Sequence, residues 1–146
     1  NDENDYLLPK CEAPITEHNI AKNMPAESSW SDDTNSMDLA NDDDFRTAWY
    51  SFPEVKTPFW EVDLKGNKSI NMIVITEPKT GVLQEYKLEY KHNGTWLTLF
   101  NGQTPTQNRV KVHRFSPVNA ESVRITMTRS NGAPAIAEFS VYATYK

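Results

Sequence analysis

The sequence predicts an all-β chain, an eight-stranded antiparallel β-sandwich or jelly roll, on three observations. Apolar and polar residues alternate with period two through several short segments, turn-forming residues separate those segments, and no stretch keeps a helical period for three turns. In chain order, Pro25, Ser28, Ser29 and Trp30 suggest one short strand, and the polar stretch that follows to Asp44 suggests a long loop. Phe59 to Leu64 and Ser69 to Thr76 read as two strands joined by Lys65-Gly66-Asn67-Lys68. The second carries Met72-Ile73-Val74-Ile75 with little alternation, as a strand covered on both faces would. From Glu85 to Lys91 the alternation is clean, with Tyr86, Leu88 and Tyr90 on one face and Lys87, Glu89 and Lys91 on the other. Asn93-Gly94 separates this run from Thr95 to Phe100, and that pair is a strong hairpin signal because both residues tolerate positive φ. Val110 and Val112 alternate with Lys111 and His113, and Val123, Ile125 and Met127 with Arg124, Thr126 and Thr128. Phe139, Val141, Ala143 and Tyr145 supply the last inward face.

A length of 146 residues suits one domain. Residues 1–16 mix Asn, Pro and acids without periodicity and read as a linker or leader, leaving 17–146 as the domain. Asn1 in first place suits a processed chain or a piece of a larger one. The longest apolar run is Met72 to Ile75, too short for a membrane span or a signal-peptide core. A single cysteine, Cys11, allows neither an internal disulfide nor a multi-cysteine zinc site. The net charge of −5 speaks against a nucleic-acid partner. That charge is uneven: residues 1–44 hold twelve of the twenty acids and two lysines, a net of −10, which leaves +5 on the remainder. The acids from Asp32 to Asp44 adjoin aromatic sequence, where either plain solvation or a bound cation would offset their repulsion.

Catalytic readings find little support. His18, His92 and His113 stand in the leader, a hairpin turn and a strand, none at useful spacing from an acid or a nucleophile. No G-x-S-x-G occurs, the five glycines are scattered singly, and Cys11 sits in the linker. Paired carboxylates of the glycosidase kind meet only in space. An all-β chain of this size with no recognisable site reads as a binding module rather than an enzyme.

The informative segment runs from Leu39 to Trp49. Asp42, Asp44 and Thr47 put three hard oxygen side chains within six residues, a set that Ca²⁺ accepts together with backbone carbonyls. It is no EF-hand, because position 6 is Thr47 instead of Gly and position 12 is Pro53 instead of Glu. The other reading is an Asp-rich turn whose side chains cap their own backbone amides.

Ala40-x-Asp42-x-Asp44-x-x-Thr47-x-Trp49 resembles the A-x-D-G-D-x-x-T-x-W signature of discoidin-like domains, the coagulation-factor type C group that includes family 32 carbohydrate-binding modules. Other landmarks fall in order: Ala26 to Trp30 as first strand, Trp60-Glu61-Val62-Asp63-Leu64, Tyr86 to Tyr90 followed by Asn93-Gly94-Thr95-Trp96, Val123-Arg124-Ile125, and Glu138 to Tyr142. The match covers about residues 18–145, with Asp43 standing where the signature usually has Gly. The resemblance implies a galactose-binding-domain-like sandwich and a structural calcium ion. By position its ligands become the carbonyls of Leu39 and Ala137 and the side chains of Asp42, Asp44, Thr47 and Glu138.

The galactose constellation of family 32 is missing here: no His follows Trp49, and Glu77-Pro78-Lys79-Thr80 offers no Arg or Asn. A sugar site could still use Tyr50 and Phe52 as stacking platforms, with Glu77, Lys79, Arg129 and Asn131 as polar fingers. The loops after Trp30, Trp49, Thr76 and Thr128 are expected to converge at one end of the sandwich. Strand wording such as Gly132-Ala133-Pro134-Ala135-Ile136-Ala137-Glu138 is similar to accessory domains of bacterial glycoside hydrolases. The expected role is a non-catalytic module that targets a covalently linked catalytic domain to glycan, in a secreted, periplasmic or cell-surface protein, without inserting into a membrane. Two other roles are a spacer packed on that catalytic domain and an adhesion domain for protein or lipid. The acidic Ser31 to Asp38 loop, with Met37 its one apolar spike, disfavours an anionic bilayer.

Overall fold

The computed structural model describes residues 19–31, 34–52 and 54–143. The expected linker 1–16 with Cys11, and also His18 and Tyr145, lie outside them. Eight strands form among the described residues: β1 (Ala26–Ser28), β2 (Trp49–Tyr50), β3 (Phe59–Thr76), β4 (Leu83–His92), β5 (Thr95–Gln103), β6 (Val110–Ser130), β7 (Ala135–Ile136) and β8 (Glu138–Tyr142). A single 3₁₀ turn spans Met37–Ala40. No helix among the described residues is long and apolar enough to cross a membrane.

The chain is all-β and antiparallel, but its strands are divided differently from the expectation. The two segments 59–64 and 69–76 are one strand, as are 110–112 and 123–128, while two-residue strands appear at 49–50 and 135–136. Both long strands bend. The first arm of β3 pairs with β1 (Ala26↔Val62) and with the end of β6 (Trp60↔Ile125); the ladder slips between Asp63 and Lys68, where Lys65 takes φ 60°. Beyond the slip, its second arm lies between the start of β6 (Val74↔Val112) and β8 (Val74↔Ser140). One layer is thus β1, the first arm of β3, the end of β6, β4 and β5; the other is β8 with the remaining arms. An irregular ladder that turns a strand out of plane lets one strand serve both layers.

The layers meet through Trp60 and Phe139, whose ring centroids lie 5.0 Å apart, with Val62, Leu64, Ile73, Ile75, Leu88, Ile125 and Val141 around them. Asn93 at φ 52° and Gly94 at φ 78° close the β4–β5 hairpin, as the sequence predicted. On β6 the alternation holds with a polar pair pointing inward: Lys111 and His113 are buried, and Val110 and Val112 are half-buried. His113 Nε2 lies 2.7 Å from the Tyr86 hydroxyl and its ring packs on Phe100 at 4.5 Å. Burial, then the nearby Lys111 charge, pushes the His113 pKa down to about 4, so a neutral ring shares the hydrogen bond with the tyrosine hydroxyl. On the outer face, Arg124 lies 4.0 Å over the Trp96 ring and pairs with Glu61 and Glu89, and Lys91 Nζ lies over the same ring at 5.7 Å.

Candidate functional site

Two features lie along the path from Asp42 to Tyr50. The first is the acidic turn. Asp42 Oδ1 accepts the Asp44 amide at 3.1 Å, and Asp44 Oδ1 accepts the Arg46 amide at 2.9 Å. Both carboxylates therefore cap backbone donors two residues on, the geometry that makes Asp a turn former. Thr47 Oγ1 donates to Asp42 Oδ2 at 2.6 Å. The Asp44 carboxylate also takes the Arg46 guanidinium at 3.0 and 3.1 Å; that hydrogen bonding holds it below the usual carboxylate range. Asp43 adopts φ 63° and its amide donates to Glu138 Oε2 at 3.2 Å, which ties the turn to β8.

Glu138 is the electrostatic oddity. It is buried, its Oε1 has no hydrogen-bond partner, and Oε2 receives the Asp43 amide and Asn19 Nδ2. Burial, with Asp42 and Asp43 close by, pushes its pKa up to about 8 against the Asp43 and Asp44 amides, which lower it. Among the described residues no three His, Cys, Asp or Glu side chains converge into a metal-holding group, since Asp44 faces Arg46. Thr47 is bonded to Asp42, and the Asp42 charge acts on Glu138.

Asp43 occupies a left-handed conformation that Gly adopts without penalty and that Asp tolerates at some cost. Asp43→Gly keeps the amide to Glu138, relaxes the backbone and removes one like charge. Its ion pair with Lys22 Nζ, at 3.4 Å, is exposed and worth little. The variant is expected to gain about 0.5–1 kcal/mol, read as a melting point raised by about 2–4 °C. An unchanged or lower melting point would show that the turn carries no such strain.

The second feature is a pocket of about 260 Å³ at one end of the sandwich. β2 pairs with β7 (Tyr50↔Ala135) and sets Tyr50 in its wall; Pro78 and Lys79 come from the loop after β3, and Asn131, Gly132 and Ala133 from the turn after β6. Three of the four loops expected to converge do so here. The fourth, after Trp30, reaches the neighbourhood through the Trp30 ring, 5.3 Å from Phe52. Tyr50, Lys79 and Asn131 all line the pocket with exposed side chains.

Three expected sugar contacts are placed otherwise. Glu77 borders the pocket but is buried: Oε1 accepts the Val82 and Leu83 amides at 3.2 and 2.9 Å, and Oε2 lies 2.7 Å from Lys111 Nζ. That last contact is an ion pair out of line for a hydrogen bond. Glu77 therefore shapes the loop instead of offering a finger to ligand, because desolvated charge must be paired inside. Phe52 is not in the pocket wall; it stacks on Trp30, and both rings stay partly exposed. Arg129 pairs with Glu85 at 3.1 Å and lines a second, shallower pocket of about 390 Å³, with Lys56, Thr57 and Ser130. Sequence reasoning missed Lys56, which lies in an aperiodic loop, and Lys111, whose partner is far away in the chain.

A family model described as F5/8 type C domain matches residues 23–139. Comparison with curated proteins gives no match. Among solved structures, the family 32 carbohydrate-binding module of C. perfringens NanJ, in complex with galactose, is 24% identical, with a TM-score of 0.78 over 86% of this chain and 98% of that one. Chitosan-binding module 1 of a chitosanase/glucanase from Paenibacillus sp. IK-5 is 21% identical, with a TM-score of 0.80 over 87% and 100%. The lectin domain of lectinolysin, complexed with Lewis B antigen, is 14% identical, with a TM-score of 0.80 over 90% and 100%. At these identities the likeness is one of fold.

Proposed function

Because this chain belongs to the F5/8 type C domain family, we propose that it is a non-catalytic glycan-binding module, braced by a structural calcium ion, that holds a linked glycoside hydrolase on polysaccharide outside the cell. The observation that carries the reading is the pocket in which three separate loops bring together Tyr50, Lys79 and Asn131. An aromatic face suits the apolar side of a pyranose, and an amide and an ammonium suit its hydroxyls. The bound galactose and Lewis B of the structural neighbours support sugar as the ligand class. Chitosan, a polyamine, fits less well, since its charge would meet Lys79. Weak single-site binding, with a dissociation constant on the order of 0.1–1 mM, is adequate when the module is tethered to an enzyme on a repeating polymer.

Calcium fits the acidic turn in part. An orphaned, buried Glu138 oxygen within reach of the Asp42 charge suits an oxygen-loving cation, and Thr47 with the Leu39 and Ala137 carbonyls completes the set implied by the family. Asp44 joins only by leaving Arg46. The turn runs directly into β2, so an ion there would fix the strand that carries Tyr50.

A glycan array in the presence of calcium tests the reading. Tyr50→Ala is expected to weaken the best hit by about 1–2 kcal/mol, beyond detection for so weak a site, with the melting point unchanged. A Tyr50→Ala protein that binds like the parent would move the site elsewhere. The exposed Trp30–Phe52 pair favours a second reading, a spacer packed on its catalytic neighbour; an array without any hit would favour it.

A further inference from the structure

The two pockets adjoin, since Gly132 lines both. Gly132 has φ 112°, and a Cβ built on it would meet nothing within 4 Å, so the ridge between the pockets is bare backbone facing open space. Together they form one groove across the 130–134 turn. Its charge is one-sided. The lining carries three cations, Lys79 in the first pocket and Lys56 and Arg129 in the second, and one acid, Glu77. Glu77 is sealed from ligand and neutralised by Lys111. Arg129 spends part of its charge on Glu85. Lys79 and Lys56 are exposed and have no ion pair or hydrogen bond within the described residues; Glu54, near Lys56 in sequence, lines neither pocket. On a chain of net charge −5, a groove whose free charges are all positive is a local inversion of sign.

Resting on the glycan-binding reading, we propose that the ligand is an acidic oligosaccharide, carrying carboxylate or sulfate groups, laid over Gly132 with one sugar ring in each pocket. Tyr50 takes a ring face in the first pocket and Lys79 an anionic group on that ring; Lys56 and Arg129 take the anion of the neighbouring ring. The two amines stand on loops from opposite sides of the groove, so a chain with one negative charge per residue engages both, while a neutral sugar engages neither as a charge. Separating charges into the rim of a groove in this way selects by sign and remains sensitive to salt.

The test is calorimetric titration of the whole chain with four probes: tetragalacturonate, its methyl ester, a sulfated galactan tetrasaccharide and its desulfated form. The acidic member of at least one pair is expected to bind about tenfold or more tighter than its neutral partner, and which pair does so separates carboxylate from sulfate. Raising NaCl from about 0.02 to about 0.3 M should weaken that binding severalfold. The exposed double variant Lys56→Ala/Lys79→Ala should keep its melting point and lose about fivefold to tenfold more affinity for the acidic probe than for its neutral partner. Equal affinity within both pairs, or an unweakened double variant, would overturn the acidic assignment and leave glycan binding standing. A protein that binds none of these probes and no glycan on an array would overturn the glycan-binding reading and this inference with it.

Discussion

Lys111→Met is expected to destabilise the domain by about 3–5 kcal/mol, a fall in melting point of roughly 10 °C, although it places an apolar side chain in the core. The reason is what stays behind. Lys111 and Glu77 are both buried, 2.7 Å apart, with almost no side-chain exposure. Without the ammonium, the Glu77 carboxylate keeps only the Val82 and Leu83 amides, and a desolvated charge held that way costs several kcal/mol. Glu77→Gln strands the Lys111 ammonium instead, with the Thr106 and Asn108 carbonyls at 3.2 and 2.6 Å as its remaining partners. That variant should cost a similar amount. The double variant Glu77→Gln/Lys111→Met removes both charges and retains an oxygen for the two amides, so it should recover most of the loss. Urea titrations of the four proteins give the coupling directly. Single variants that each cost under about 1 kcal/mol would show that water reaches the pair. The singles should also weaken glycan binding, because the loop that Glu77 pins carries Lys79 and Val82 in the pocket wall.

This pair marks where the sequence stops being legible. Local features could be read: Asn93-Gly94 sets a hairpin by its own dihedral preferences, and Tyr86 and Leu88 turn inward because a strand has period two and one face is dry. The Asx capping of the acidic turn was legible because it is local, and the family signature because it is contiguous. What could not be read depends on partners remote in the chain. Lys111 looks like a solvent-facing residue until Glu77 arrives from another loop. Glu77 looks like a sugar contact because it follows Thr76 at the correct end, yet it is consumed by that same lysine. The join of 59–64 with 69–76 was hidden too, since Gly66-Asn67 reads as a turn, whereas a slipped ladder carries the strand through a bend. Tyr50, Lys79 and Asn131 do line one pocket, because each stands at the end of a strand or just beyond it.

The second large effect is a pH-dependent stability that calcium should abolish. Glu138 holds its proton up to about pH 8 in the folded chain against 4.5 in a free carboxyl. Between those values the folded state binds more protons than the unfolded one, so stability falls as pH rises, by about 1.4 kcal/mol per unit. His113 works in the opposite sense. Its folded pKa of about 4 lies below the ordinary 6.5, so its contribution is complete above 6.5 and is lost as pH falls toward 4. The two slopes cancel between about pH 4.5 and 6.5. Above 6.5 only Glu138 remains, and the calcium-free protein should lose about 2 kcal/mol by pH 8. A calcium ion at the turn would hold the Glu138 carboxylate ionised and supply the partner that its Oε1 lacks. With excess calcium the decline above pH 6.5 should vanish. The rise in melting point caused by calcium should then be larger at pH 8 than at pH 5.5, where the ion must first displace a proton. Glu138→Gln should flatten the same limb in chelator and remove most of the response to calcium. Melting curves at the two pH values, in calcium and in chelator, decide the matter. A chelated protein equally stable at pH 6.5 and 8, with no response to calcium, would mean that Glu138 is already solvated and that the acidic turn is held by its own Asx bonds alone.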